Sequence, residues 1–352
     1  MKINLCANIF GESGFAVHGR HLARALKEEG VDLGIETYLP PNYMNTDEWF
    51  EFRENIEKSF PYENTVMISA PEYWEVKSGD RISKFFPIGI FEGTQVSPNW
   101  IRIAEQDFVT KLIVPSNHVK EAFEKWQNEK VNKKIVVIPH GTDLKIFHPI
   151  ERPKNEKFRF LFVGGWKNGV YDRKGLDIAL KAFCAEFKPD ENVEFFVKIN
   201  MAYQDQNTVI NNLNALNLPE IRPKISLCFD QITEEKLVKI YQDSDCFIMP
   251  TKGEAFCLPC LEALACGLPV IATDFGGQTD YLSKDGLIKI EKFVPATAEP
   301  WIYEWANWAI PSQKHLQELM RKAFNGELKG NSELAQNYSW NNEARAIINN
   351  II

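Results

Sequence analysis

Pro250-Thr251-Lys252-Gly253-Glu254-Ala255-Phe256-Cys257-Leu258-Pro259-Cys260-Leu261-Glu262-Ala263-Leu264-Ala265-Cys266-Gly267-Leu268-Pro269-Val270 is the most informative stretch of this chain. The apolar run Cys246–Met249 before it reads as a buried strand. A short loop follows, then a helical pattern over Cys257–Cys266. Pro259 suits the first turn of that helix, and Gly267 stops it. The amides at its start, around Ala255, Phe256, Cys257 and Leu258, are placed to bind an anion. Glu254 stands at the mouth of the loop. Glu262 lies on the helix among Leu261, Ala263, Leu264 and Ala265, which read as buried, so its carboxylate needs a partner there.

Working outward, the same alternation of buried strand and helix fills the chain. The second half restarts the pattern with Phe158–Val163, then helix Gly175–Phe187, strands Val193–Ile199 and Lys224–Cys228, and helix Thr233–Tyr241. The first half carries apolar runs at Lys2–Ile9, Val31–Ile35, Thr65–Ile68, Phe85–Ile90, Lys111–Val114 and Lys134–Ile138, with helical patterns at Val17–Glu29 and Asn117–Trp126. Buried strands alternating with helices predict parallel sheets covered on both faces. A length of 352 residues is comfortable for two such units. The polar, proline-bearing segment Pro139–Lys157 suits a boundary, placed near residue 150. The expected domains are 1–150 and 151–337, with a helix over 338–352. Glu291–Gln313, which holds three tryptophans, has no clear local pattern.

Open parallel sheets bind ligands at the carboxyl ends of their strands, so the loops there matter most. Phe10-Gly11-Glu12-Ser13-Gly14-Phe15 follows the first strand and is a weak phosphate-loop pattern, short of a full GxGxxG. Gly164-Gly165-Trp166-Lys167, running on to Asp172-Arg173-Lys174-Gly175, is rich in glycine and cations and opens a helix. Lys174 and Arg173 are placed to meet phosphate charge, although a solvated basic loop would look the same.

The charge balance narrows the partners. A net charge of −8 disfavours nucleic acid as the main partner. Seven cysteines, an odd number set mostly in apolar patterns, read as reduced thiols. Cys257-x-x-Cys260 has no second CxxC to complete a zinc site. Met1 leads straight into a strand pattern, with no signal-peptide layout and no apolar run near the ~18 residues of a membrane span. A cytoplasmic location is expected, at most peripheral to the inner face of a membrane.

Glu254 and Glu262, with seven residues between them, resemble the E-x7-E signature of the retaining "group 1" glycosyltransferases of the GT-B fold. Similar stretches are Pro139-His140-Gly141-Thr142-Asp143 with Phe147, Phe162-Val163-Gly164 through Arg173-Lys174-Gly175, Ala272-Thr273-Asp274-Phe275-Gly276-Gly277 and Tyr338-Ser339-Trp340. The resemblance covers the second half closely. In the first half it is looser, resting on Gly11–Gly14, Phe91-Glu92-Gly93 and Val114-Pro115-Ser116. It implies an α/β GT-B fold of two Rossmann-like doubly wound domains facing each other across a cleft. The N-terminal domain would bind the acceptor, the C-terminal domain would bind the donor, and the last helix would pack back on the first domain.

The resemblance also implies roles. Glu254 would touch sugar hydroxyls near the reacting carbon, Glu262 would hold the ribose, and Lys174 would bind the diphosphate. The Ser13-Gly14 loop would close on the phosphates, and Phe91-Glu92 would lie near the acceptor. Many relatives carry an Arg after the glycine at the position of Gly165; here Lys167 or Arg173 is left to substitute. Phe229 stands where backbone contacts to the base are expected. The implied reaction is hexosyl transfer from a UDP- or GDP-sugar to a carbohydrate, lipid-linked or protein acceptor, needing no cofactor. No metal is expected, because the Asp-x-Asp at Asp243-Ser244-Asp245 reads as helix end and strand start, on the wrong edge of the sheet. Three rival readings fit the chain less well. A non-hydrolysing sugar-nucleotide epimerase lacks the Glu254–Glu262 resemblance, a nicotinamide dehydrogenase needs the missing fingerprint, and a non-catalytic nucleotide-sugar-binding module would keep the fold without turnover.

Overall fold

The computed structural model describes residues 1–37, 44–58, 64–77, 84–151, 156–202 and 204–351. The chain divides into two compact units. The first is Met1–Gly141 together with Tyr338–Ile352, and the second is Thr142–Asn337. The division thus falls at Gly141/Thr142, inside the proline-bearing segment Pro139–Lys157 and several residues before the boundary placed near residue 150.

In the first unit the strands are β1 Lys2–Cys6, β2 Asp32–Glu36, β3 Asn64–Ile68, β4 Lys84–Ile88, β5 Leu112–Val114 and β6 Ile135–Val137. They form a parallel sheet in the order β2-β1-β3-β4-β5-β6. Its helices are α1 Gly14–Glu28, α2 Asp47–Glu57, α3 Trp74–Lys77, α4 Pro98–Ala104, α5 Asn117–Glu124 and α6 Glu129–Asn132. Ser13 caps α1, its hydroxyl accepting from the Ala16 N–H at 3.2 Å, and Ser97 and Ser116 cap α4 and α5 in the same way.

In the second unit the strands are β7 Phe158–Gly164, β8 Val193–Ile199, β9 Lys224–Cys228, β10 Cys246–Met249, β11 Val270–Thr273 and β12 Leu287–Ile288. Its helices are α7 Leu176–Glu186, α8 Gln206–Ala215, α9 Glu234–Gln242 and α10 Leu258–Ala265. The strand order is β12-β11-β10-β7-β8-β9, all parallel. That is a doubly wound sheet whose winding reverses between β7 and β10, where such sheets open a crevice for ligands. An antiparallel hairpin, β13 Ile290–Pro295 and β14 Asn307–Pro311, occupies the region that had no local pattern, with the short α11 Pro300–Tyr303 in its loop. Tyr303 and Trp308 are buried and meet edge-on at 5.6 Å, which gives the hairpin its own small core. Helix α12, Gln313–Phe324, packs on α7.

The last helix, α13 Trp340–Ile351, returns to the first unit and packs on α1. Its Glu343 is buried, and one carboxylate oxygen meets His18 Nε2 at 2.7 Å and His140 Nδ1 at 3.0 Å. Trp340 stacks on His21 at 5.1 Å, and a side chain at Gly141 would strike its backbone nitrogen at 2.1 Å. His18, His140 and Glu343 are the one group among the described residues spaced to hold a metal ion. However, the Nδ1 of His18 is buried without a partner. A ligating histidine donates its second N–H to an outer partner, so the trio is better described as a hydrogen-bonded tie. Glu343 is pushed down to about 2: burial opposes this, but the charges of His18 and His140 and their hydrogen bonds outweigh it. His140 is pushed down to about 4 by burial and by the neighbouring His18.

Candidate functional site

The crevice of the second sheet is flanked by the loops after β7 and β10, and three predicted residues meet there. The Glu254 carboxylate accepts from Lys174 Nζ at 2.6 Å and pairs with Arg173 Nη1 at 2.9 Å, both on Oε1. Glu254 is 5% exposed. Burial alone would raise its carboxyl, but the charges of Arg173 and Lys174 and their hydrogen bonds together hold it below the ordinary carboxylate range. Arg173 also donates to the Gly253 carbonyl. Two cations facing one carboxylate leave the cluster with one net positive charge.

The cations are held in place by their loop. The carboxylate of Asp172 accepts from the backbone N–H groups of Lys167, Asn168 and Lys174 at 2.9, 3.2 and 2.9 Å. Trp166 is fully buried and donates to the Gly169 carbonyl at 3.0 Å. Gly175 has φ +74°, and a Cβ there would lie 2.0 Å from the Pro250 carbonyl oxygen, so only glycine lets these two loops touch. Arg173 therefore joins Lys174 on Glu254, while the Lys167 side chain is exposed. Gly165 sits at the end of β7 with Gln204 beside it.

The Glu254 loop is fixed from its other side as well. The Gly277 N–H donates to the Glu254 carbonyl at 2.8 Å, and the Tyr281 hydroxyl lies 3.0 and 2.7 Å from the carbonyls of Phe256 and Cys257. Helix α10 begins at Leu258, with Cys257 as its cap, so Ala255–Cys257 form the approach to the helix and not its first turn. Cys257 adopts the left-handed conformation at φ +71°, ψ +71°, a strained choice for a non-glycine residue of the kind that clusters at functional turns. Its sulfur lies 3.1 Å from that of Cys260, and both thiols are free. Burial, and then the hydrogen bond to Cys257, push the Cys260 thiol well above its usual value.

The partner expected for Glu262 is Tyr241, whose hydroxyl donates to Oε2 at 2.7 Å. Tyr241 is fully buried on α9, between Phe147 at 5.9 Å and Phe247 at 5.8 Å. Glu262 is half-buried, and burial pushes its carboxyl up to about 7, opposed by the Tyr241 hydrogen bond and assisted by Glu234. Phe229 is half-buried just beyond β9. In the first unit, Ser13 and Gly14 begin α1 after β1, and half-buried Glu92 follows β4 beside buried Phe91. The Asp-x-Asp triplet lies at the amino end of β10, where Asp245 Oδ2 accepts from the Arg159 N–H at 2.8 Å.

Asp172, Tyr241 and Tyr281 were not anticipated as site residues. Asp172 stands within the quoted cation loop. The two tyrosines reach the site only through packing.

Two Rossmann-like units in one chain make the GT-B architecture. The chain resembles sucrose-phosphate synthase of Thermosynechococcus elongatus with a TM-score of 0.69 at 16% identity, covering 99% of this chain and 98% of that one. An Anabaena protein solved with UDP-glucose matches with a TM-score of 0.66 at 13% identity, covering 100% and 99%. At such identities the likeness is one of fold. Residues 157–299 match the family model described as "Glycosyl transferases group 1". Among curated relatives, a D-inositol 3-phosphate glycosyltransferase of Paenarthrobacter aurescens is 28% identical over 43% of this chain and 37% of its own length. A putative glycosyltransferase of a Sulfolobus islandicus filamentous virus is 26% identical over 53% of this chain and 48% of its own length. The chain thus spans between a third and a half of these relatives. No helix among the described residues is long and apolar enough to cross a membrane.

Proposed function

We propose that this protein is a retaining glycosyltransferase that moves a hexose from a UDP- or GDP-sugar to an acceptor hydroxyl without a metal ion. The Arg173–Lys174–Glu254 cluster at the crevice of the second sheet, built on the buried Glu254, carries this reading. Its surplus positive charge is matched to a diphosphate, and Glu254 lies where a sugar attached to that diphosphate would present its hydroxyls. The approach to α10 adds backbone N–H groups and the positive end of a helix dipole. Glu262 has a second carboxylate oxygen beyond the one that Tyr241 uses, and that oxygen is assigned to the ribose. Phe229 is assigned to the nucleoside side, and Glu92 and the Ser13–Gly14 turn to acceptor and phosphate contacts from the first unit.

In the proposed reaction the acceptor oxygen forms a bond to the anomeric carbon on the face the diphosphate leaves. The bond from that carbon to the phosphate oxygen breaks, and the departing phosphate oxygen takes the acceptor's proton. The protein stabilises charge growing on the leaving group with Arg173 and Lys174, a task that preorganised groups perform at little reorganisation cost. Engagement of Asp245 with Arg159 at the opposite sheet edge supports a diphosphate site without a divalent cation. A thermal-shift panel of UDP- and GDP-sugars should identify the donor, since a ligand at a hundred times its Kd stabilises by ~2.7 kcal/mol. Transfer from that donor should then persist in excess EDTA, and an α-linked donor should give an α-linked product by NMR coupling. Activity lost in EDTA and restored by manganese, or a β-linked product, would overturn the proposal.

A further inference from the structure

The loop that carries Glu254 is flanked by exposed aromatic rings. On one side, Lys252 Nζ donates to the Val170 carbonyl at 2.7 Å, and the Thr297 hydroxyl reaches the Tyr171 carbonyl at 3.4 Å, which holds Tyr171 beside the hairpin. The β14 residue Ala309 donates its N–H to the Lys252 carbonyl at 2.9 Å, so the hairpin is bonded directly to the loop. On the other side, the Gly277 N–H donates to Glu254, and the adjacent Phe275 meets Phe293 of β13 edge-on at 5.3 Å. Tyr171 is 66% exposed and Phe293 50%, and the hairpin loop adds Trp301 at 67%. The hairpin's own core is made by Tyr303 and Trp308, so burial there does not require these outer rings.

We propose that Tyr171 and Phe293, with Phe275 behind them, form an acceptor subsite that stacks on the C–H faces of a neutral pyranose chain. This rests on the reading that the Glu254 loop holds the donor sugar. An acceptor must then bring its hydroxyl to that loop, and the segments that carry these rings are held to the elements flanking it: Val170 by Lys252, and Phe293 through the hairpin whose Ala309 bonds Lys252. The exposed large apolar side chains of the hairpin are rings, and flat rings present a rigid face at little rotamer cost. The charge around them favours a neutral ligand over an anionic bilayer, because residues 290–311 carry Glu291, Glu299 and Glu304 against the single Lys292. Carboxylates of the hairpin repel phosphatidylglycerol headgroups and leave a sugar unaffected.

The test compares the full-length wild type with the Tyr171→Ala/Phe293→Ala double variant. Saturation-transfer NMR with maltotriose and with methyl α-D-mannopyranoside reads ring contact without requiring turnover. The wild type should saturate the sugar C–H protons, and the variant should lose that signal while its affinity for the donor nucleotide stays within about twofold. In transfer assays with p-nitrophenyl glycosides, the variant's acceptor KM should rise about tenfold with kcat little changed. Absence of saturation in the wild type, an undiminished signal in the variant or a parallel loss of donor affinity would each overturn the subsite. Co-sedimentation of the wild type, but not the variant, with phosphatidylglycerol vesicles would overturn it in favour of a membrane contact. If no donor supports transfer but sugar saturation depends on the two rings, the transfer reading fails and the sugar-binding platform stands.

Discussion

Glu262 links donor binding to pH in a way that can be worked out in advance. Its carboxyl is raised to about 7, chiefly by burial. Tyr241 occupies Oε2, and only the ionised form keeps Oε1 a fully charged acceptor for ribose hydroxyls, so donor affinity should follow its ionisation. A group titrating at pH 7 is about one-eleventh ionised at pH 6 and about ten-elevenths at pH 8. The Kd for the sugar nucleotide should therefore fall about tenfold between those values, equivalent to ~1.4 kcal/mol. Calorimetric titration with an intact UDP- or GDP-sugar is the right assay, because its diester phosphates do not titrate in this interval. Glu262→Gln should bind the donor ~10–100-fold more weakly at pH 8, the loss expected for hydrogen bonds to a charged acceptor, and its profile should be flat. The linkage to stability runs the other way. The folded-state value lies above the ordinary 4.5, so this group's contribution is fully present below about 4.5 and is lost as pH rises through 7. The ligand-free wild type should lose stability relative to Glu262→Gln between pH 5 and 8. A wild-type affinity independent of pH, or a pH slope that survives in Glu262→Gln, would refute the reasoning.

Lys174→Ala should weaken nucleoside-diphosphate binding and slow transfer while leaving nucleoside binding nearly unchanged; an equal loss for both ligands would point to a collapsed loop. Glu254→Gln should cut turnover more than diphosphate affinity, measured side by side by rate assay and titration, and wild-type turnover would remove Glu254 from the reaction. Gly175→Ala places a Cβ 2.0 Å from a backbone oxygen at a positive φ, so Tm should fall by several degrees and donor binding with it; an unchanged melting curve would show that the two loops do not touch as described. His140 titrates at about 4 against an ordinary 6.5, and Glu343 at about 2 against 4.5. Both values are depressed, so stability should be lost as pH falls, first between about 6.5 and 4 and then below 4.5. Glu343→Gln should destabilise the protein at pH 7 by ~3 kcal/mol, as expected when one partner of a buried charged group is removed; a wild-type denaturation midpoint would argue against the tie.

Strands β8 and β10 stand where their apolar runs place them, because a buried parallel strand bounded by polar turns has little else to become. Helices α2 and α8 were not anticipated: residues such as Glu48, Glu51, Glu54 and Asn211, Asn212, Asn214 cover most of their surfaces and blur the apolar stripe. The hairpin was illegible because Glu291-Lys292 and Pro295 break alternation on β13, and its anchor residues Tyr303 and Trp308 lie outside any strand pattern on β13. The Glu254 loop could be read locally, since strand, loop and helix follow one another in a single stretch. Which cation would join Lys174 could not, because Asp172 settles it by pinning the backbone of residues 167–174. Nor could the partner of Glu262, because a helix pattern calls for one without saying which neighbouring element supplies it.

The return of α13 to the first unit has a consequence for biosynthesis. His18 and Glu343 are 325 residues apart in sequence and 2.7 Å apart in space. Everything in the second unit, Thr142–Asn337, leaves the ribosome before the segment that finishes the first. The usual order, in which the leading domain folds as soon as it emerges, is therefore not open to this chain. Until α13 arrives, His18 and His21 of α1 lack the Glu343 and Trp340 that pack on them, while the second unit already has all of its strands. The nascent first unit is thus the last to gain its closing contacts, and a released chain truncated after Asn337 should be protease-resistant in the later-made half and sensitive in the earlier one.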